Sequence, residues 1–193
     1  MRKRNLKPIQ IIKAVVFCAA GALVLVFHDA IMENDGALVG IIVGSTVILY
    51  GLVTTIRSFI EKRFFGDDYL LFGALSQFMI AAALFAVANS IESVCIVWAV
   101  WSILRECREM SKAIFSLTHR RPGVINILES VVIIVFSFFM IIEPGEHHAS
   151  LHVYLLGVEL ILEIVFSAIN LFFDRFAEKR KERTDQNQDQ TNR

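Results

Sequence analysis

Long apolar runs separated by short charged segments set the pattern of this chain. Six runs stand out, at 9–27, 37–56, 69–88, 91–104, 123–142 and 151–173. A bilayer core of about 30 Å takes about 20 apolar residues per helix, so each run is read as one transmembrane helix. The predicted fold class is all-α: a polytopic membrane bundle of six spans. Pro8, Pro122 and Pro144 fall at the run boundaries, where a missing N–H costs a helix nothing. The even-numbered runs align on Gly44, Trp98 and Gly157, each followed by Leu, Ile and Val, which predicts three tandem helical hairpins.

The composition agrees with a lipid solvent. Of 193 residues, 55% are hydrophobic and only 20% charged, too few to clothe a water-soluble surface. Lys and Arg sum to 19 and so do Asp and Glu; their placement carries the information. Apart from Lys13 inside the first run, the cations lie in the amino-terminal segment, around Arg57 to Arg63, from Arg105 to Arg121, and in the tail from Arg175 onward. The loops at 28–36, 88–90 and 143–150 hold none, and the first and last of these carry Asp29, Glu33, Asp35, Glu143 and Glu146 instead. Short cytoplasmic loops collect Lys and Arg, so both termini are predicted cytoplasmic. The six spans fill a membrane domain at 1–178. From 179 to 193 no apolar residue remains, and that tail is predicted to be disordered. Cys18, Cys95 and Cys107 sit in or beside apolar segments and do not form a disulfide framework.

Small residues mark close helix contacts. Gly36, Gly40, Gly44 and Gly51 line one face of the second span, where a neighbouring backbone can approach. The first span, with Ala14, Cys18 and Ala22, is the expected partner; a homo-oligomer seam is the alternative.

Ionisable residues within spans are costly and turn toward a bundle's interior. At a rise of about 1.5 Å per residue, Lys13, Arg105 and Glu129 lie about 21 Å from the outer end of their spans, Glu163 about 18 Å and Glu159 about 12 Å. Arg105 is therefore expected to pair with Glu129 or Glu163. Glu159 and Glu163, four apart, share a helix face. Trp98 and Trp101, too deep for an interfacial belt, are expected to pack or to meet Arg105 through a cation–π contact. Beyond Arg105 the helix turns amphipathic, and Arg108 and Lys112 are placed against anionic lipid headgroups.

His28, His147, His148 and His152 fall in loops predicted to face the exterior. His147, His148 and His152 are candidates for pH sensing or, with Glu143 or Glu146, for binding zinc or nickel. A plain solvated loop is the leading reading of these residues, and no metal is assigned.

The sixth span reads Leu156-Gly157-Val158-Glu159-Leu160-Ile161, followed by Phe166-Ser167-Ala168, and the fifth carries Leu128-Glu129. In these residues, and in its six-run architecture, the chain resembles the HdeD-like family of bacterial membrane proteins. Arg105, where the repeat favours a small residue, and Glu163 depart from that pattern. The resemblance implies a place in the bacterial inner membrane and a role in acid or envelope stress tolerance, with no reaction and no cofactor. The sequence holds no His-Glu-x-x-His, no serine nucleophile motif and no phosphate-binding glycine loop. The expected partner is the lipid bilayer, with no nucleic acid. A small transporter or a proton or cation channel using Glu129, Glu159 and Glu163 is the alternative function.

Overall fold

The computed structural model describes residues 7–33, 37–61, 70–118, 124–142 and 148–191. Among them every regular element is a helix: α1 (Lys7–Val26), α2 (His28–Glu33), α3 (Ala37–Glu61), α4 (Leu70–Ala86), α5 (Ile91–Thr118), α6 (Val124–Ile142) and α7 (Ala149–Thr191). Three stretches are long and apolar enough to cross a membrane: Ala37–Ile56, Val124–Ile142 and Ala149–Ile169. Ile11–Val26 and Gly73–Ala86 are apolar but shorter. In α5 only Ser93 to Leu104 separates Glu92 from Arg105, so its uncharged stretch is also short.

The helices bury serines and glutamates along with their apolar core and leave many large apolar side chains exposed. On α6 the buried residues are Ser130, Ile133, Ser137 and Met140, spaced three or four apart along one face. From Leu128 to Ile142 every exposed residue of α6 is Leu, Val, Phe or Ile. Such a face lowers its free energy in hydrocarbon and raises it in water. Hydroxyls inside the apolar α3 are satisfied locally: Thr46, Thr54, Thr55 and Ser58 donate to carbonyls one turn back, at 2.8–3.0 Å.

Glycines decide which helices touch most closely. A methyl group on Gly40 would stand 2.6 Å from Ala88 Cβ, one on Gly44 would meet the Phe85 ring at 3.0 Å, and one on Gly51 would meet the Phe78 ring at 3.2 Å. The expected partner of this ladder, the first span, is therefore corrected. The glycine face of α3 receives α4 and the turn that follows it, because a bare backbone offers the grooves into which Phe78 and Phe85 fit. Gly36, at the head of the ladder, lies outside the described residues. A second crossing joins α1 to α7, where a methyl on Gly21 would come within 2.6 Å of the Gly157 carbonyl oxygen, and one on Gly157 within 2.7 Å of Leu25. The closest pairs are thus α3 with α4, α5 with α6, and α1 with α7, rather than the tandem hairpins that the alignment of Gly44, Trp98 and Gly157 predicts.

Two segments expected to be irregular are helical. Residues 28–33 form α2, which buries Ile31. At the other end α7 continues through the polar tail to Thr191, where disorder was the expectation. That stretch lacks Gly and Pro and is rich in Glu, Lys, Arg and Gln, and a helix already nucleated by packing extends at small cost.

Candidate functional site

The buried face of α7 repeats every three or four residues through His152, Leu156, Glu159 and Glu163. The two glutamates therefore point into the bundle, against α5 and α1. On α5 the same spacing buries Val94, Trp98, Ser102 and Glu106, and turns Arg105 inward beside them.

Glu163 is the hub of an ion-pair network. Its Oε2 lies 2.8 Å from Lys13 Nζ of α1, and its Oε1 lies 2.5 Å from Arg105 Nη2 of α5. Arg105 also holds Glu106: Nε donates to Oε1 at 2.9 Å, and Nη2 stands 2.9 Å from the same oxygen. The Nη2 contacts are ion pairs rather than aligned hydrogen bonds, and the buried Nη1 has no hydrogen-bond partner among the described residues. Glu106 Oε2 in turn accepts from Ser130 Oγ of α6 at 2.9 Å. Four helices thus converge on two cations and two carboxylates. Lys13 is the most exposed member, 23% against 3% for Glu163, and its ammonium sits 5.4 Å and 5.6 Å from the centroids of the Tyr50 and Phe17 rings.

The expected pairing of Arg105 is settled for Glu163 and corrected for Glu129. Glu129 is half-buried and joins no ion pair among the described residues. It lies on α6 one residue before Ser130, and a step of one residue turns a side chain about 100° around a helix, so Ser130 takes the inward position. Glu106 is the partner that the sequence reading missed. Its signal was there, at four-residue spacing from Trp98 and Ser102, but it sits in a segment dominated by basic residues.

Glu159 is placed differently, although it shares Glu163's helix face. Its Oε1 accepts from Trp98 Nε1 at 3.0 Å and from Ser102 Oγ at 2.5 Å. The residue is 1% exposed, and Oε2 has no hydrogen-bond partner among the described residues. Trp98 therefore serves as a donor as well as packing on Phe17 and Trp101. The cation–π contact falls to Trp101, whose ring centroid lies 5.0 Å from Arg105 Cζ. Gln77 of α4, at a comparable depth, is buried beside Gly51.

A second polar cluster joins α2 to the start of α7. His28 Nε2 lies 3.0 Å from Ser150 Oγ, Nδ1 lies 3.0 Å from Asp29 Oδ1, and the imidazole stacks on Tyr154 with centroids 4.2 Å apart. His28, which the sequence reading left out of its candidates, ties α2 to α7. His152, read as a loop residue, is buried in the first turn of α7, on the stripe that continues to Glu159. His148 is exposed just before that helix, and His147 lies outside the described residues. Among the described residues no three His, Cys, Asp or Glu side chains stand close enough to hold a metal.

Past Arg105, Arg108 and Lys112 are exposed, and both reach Glu109, at 3.3 Å and 2.8 Å. Part of the basic charge assigned to headgroups is thus offset along the same helix. Glu109 is partly desolvated, but its hydrogen bond to Lys112 and the charges of Lys112 and Arg108 hold its carboxyl below the usual range.

No protein-family model matches the chain, and neither a curated protein nor a solved structure matches it.

Proposed function

We propose that the chain is a six-span protein of a bacterial inner membrane, with both termini cytoplasmic, that catalyses no reaction and contributes to acid or envelope stress tolerance, as its resemblance to HdeD-like proteins implies. The observation that carries this reading is the use made of the ionisable side chains. Lys13, Arg105, Glu106 and Glu163, the groups a catalyst or carrier would turn toward a substrate, are engaged with one another across α1, α5, α6 and α7. Such a network sets which helices meet and in what register, a role attested for buried polar groups. The apolar exterior of α6 supports a lipid partner. Arg108 and Lys112 remain the residues placed at anionic headgroups, and association with a second copy belongs to the same proposal.

Two measurements on one preparation test it. Cells lacking the protein should survive acid challenge less well and be rescued by the intact chain, while proteoliposomes under a pH gradient should show no proton or cation flux above empty vesicles. A pH-driven current that disappears in Glu163→Gln would refute the reading and replace it with a transporter or channel.

A further inference from the structure

We propose that Glu159 is a proton-binding site in the core of the bundle, a neutral acid whose proton decides which carboxylates Arg105 holds. The charge arrangement is the first argument. Lys13 and Arg105 are matched by Glu163 and Glu106, so the network is balanced before Glu159 is counted. Glu159 makes no ion pair, and Trp98 and Ser102 are its only hydrogen-bond partners among the described residues. An ionised carboxylate at 1% exposure, with neutral donors on one oxygen and none on the other, is among the most costly groups a core can hold. Binding a proton removes that cost.

The donor set points to a proton rather than a metal cation. The indole N–H can only donate, and with the Ser102 hydroxyl it fills Oε1 with hydrogens, leaving a metal cation the single oxygen Oε2. The Arg105 guanidinium, one turn below Ser102 on the same helix, would repel a second cation. The ionisable groups that face Glu159 are Arg105 and Cys95 from α5 and Glu163 from its own helix. Lys13 of α1, Tyr50 of α3 and Glu129 of α6 act on the Arg105–Glu163 pair instead.

Two unmatched atoms give the proton a consequence. Arg105 Nη1 is a buried donor without a partner, and Glu159 Oε2 is a buried oxygen without one. When Glu159 loses its proton, the core holds three carboxylates against two cations. Oε2 then becomes the strongest open acceptor near Nη1. Arg105 turns toward Glu159 and loosens its hold on Glu106 and Glu163, leaving Lys13 as the main counter-charge of Glu163. The inference is independent of the stress role, since it concerns where a proton resides and not whether one is carried across.

Infrared difference spectroscopy of the full chain in phosphatidylethanolamine–phosphatidylglycerol vesicles tests it. A protonated-carboxyl carbonyl band that shifts in D2O is expected at neutral pH. It should be lost in Glu159→Gln, kept in Glu129→Gln, which leaves the Lys13–Arg105–Glu163–Glu106 balance untouched, and moved to higher frequency in Ser102→Ala, where the carbonyl loses a donor. Raising the pH should bleach the band as a carboxylate band grows. A band that survives Glu159→Gln, or vanishes in Glu129→Gln instead, overturns the proposal. If Glu159→Gln fails to fold, Ser102→Ala and Trp98→Phe decide, and an unshifted band in both overturns it equally.

Discussion

Removing Glu163 should cost more than removing any other single ionisable residue of the bundle, and the reason lies in how its two partners are placed. Glu163→Leu strands Lys13 and Arg105 together. Lys13 is partly exposed and can extend its chain toward the bundle's end, but Arg105 is enclosed and retains only Glu106 as an ion-pair partner. Breaking a buried pair by deleting one partner costs about 3–5 kcal/mol, most of it from the charge left behind. For a chain of 193 residues, about 3 kcal/mol lowers Tm by about 6–12 °C. Arg105→Leu should fall near the lower end of that range, because Glu163 keeps Lys13 and Glu106 keeps Ser130. The double variant Arg105→Leu/Glu163→Leu leaves a smaller charge imbalance than either single change. It should therefore be more stable than the sum of the two predicts, with a coupling of about 1–3 kcal/mol. The assay is reversible unfolding or thermal melting in mild detergent for all four proteins of the cycle. Glu129→Leu supplies the control: with no ion pair to break, it should cost little and combine additively with Arg105→Leu. Additivity within about 0.5 kcal/mol for Arg105 and Glu163, or equal coupling of Arg105 to Glu129, would refute the assigned pairing.

The glycines give a graded set of outcomes under the same melting assay. Gly21→Ala and Gly40→Ala should each destabilise by about 1–3 kcal/mol through overpacking, since the new methyl meets a backbone oxygen or Ala88 at 2.6 Å, whereas Gly44→Ala, which meets only the Phe85 ring, should cost less. Gly73→Ala meets nothing within 4 Å and should stabilise by about 0.5–1 kcal/mol through helix propensity. His28→Ala should free α2 from α7 at a cost of about 1 kcal/mol for the lost hydrogen bonds, seen as faster amide exchange in residues 28–33 with little change elsewhere. For the proposed topology, a cysteine-free background carrying Asp35→Cys should react with an impermeant maleimide only from outside the cell, and one carrying Gln188→Cys only from inside; the reverse pattern, or labelling from both sides, contradicts six spans with cytoplasmic ends.

What the sequence made legible follows from which forces are local. Helix type is written in apolar runs bounded by charge, so the helical character of each run could be read without knowing its neighbours, whereas the extent of α5 and α7, which pass the ends of their runs to Thr118 and Thr191, could not. The inward turn of Lys13, Arg105, Glu159 and Glu163 was legible for a related reason: a charge within such a run has only the interior to turn to. Partner choice is different, because it depends on rotation about each helix axis and on which helices adjoin. The depth estimate put Glu129 and Glu163 in one layer and could not separate them; a single residue step, from Glu129 to Ser130, decided which of the two α6 side chains faces Glu106. The glycine ladder of α3 likewise announced a close contact but not its recipient, since Phe78 and Phe85 look like any other apolar residues until α4 is placed beside them. Glu159 shows the same limit at the level of chemistry. Its four-residue spacing from Glu163 implied one continuous acidic stripe, yet the two carboxyls meet opposite environments. Glu163 is met by two cations, and Glu159 by an indole and a hydroxyl from the next turn of α5. Equal residue type and a shared face therefore do not imply equal charge, and the difference between these two glutamates is set by α5 and α1 rather than by the helix that carries them both.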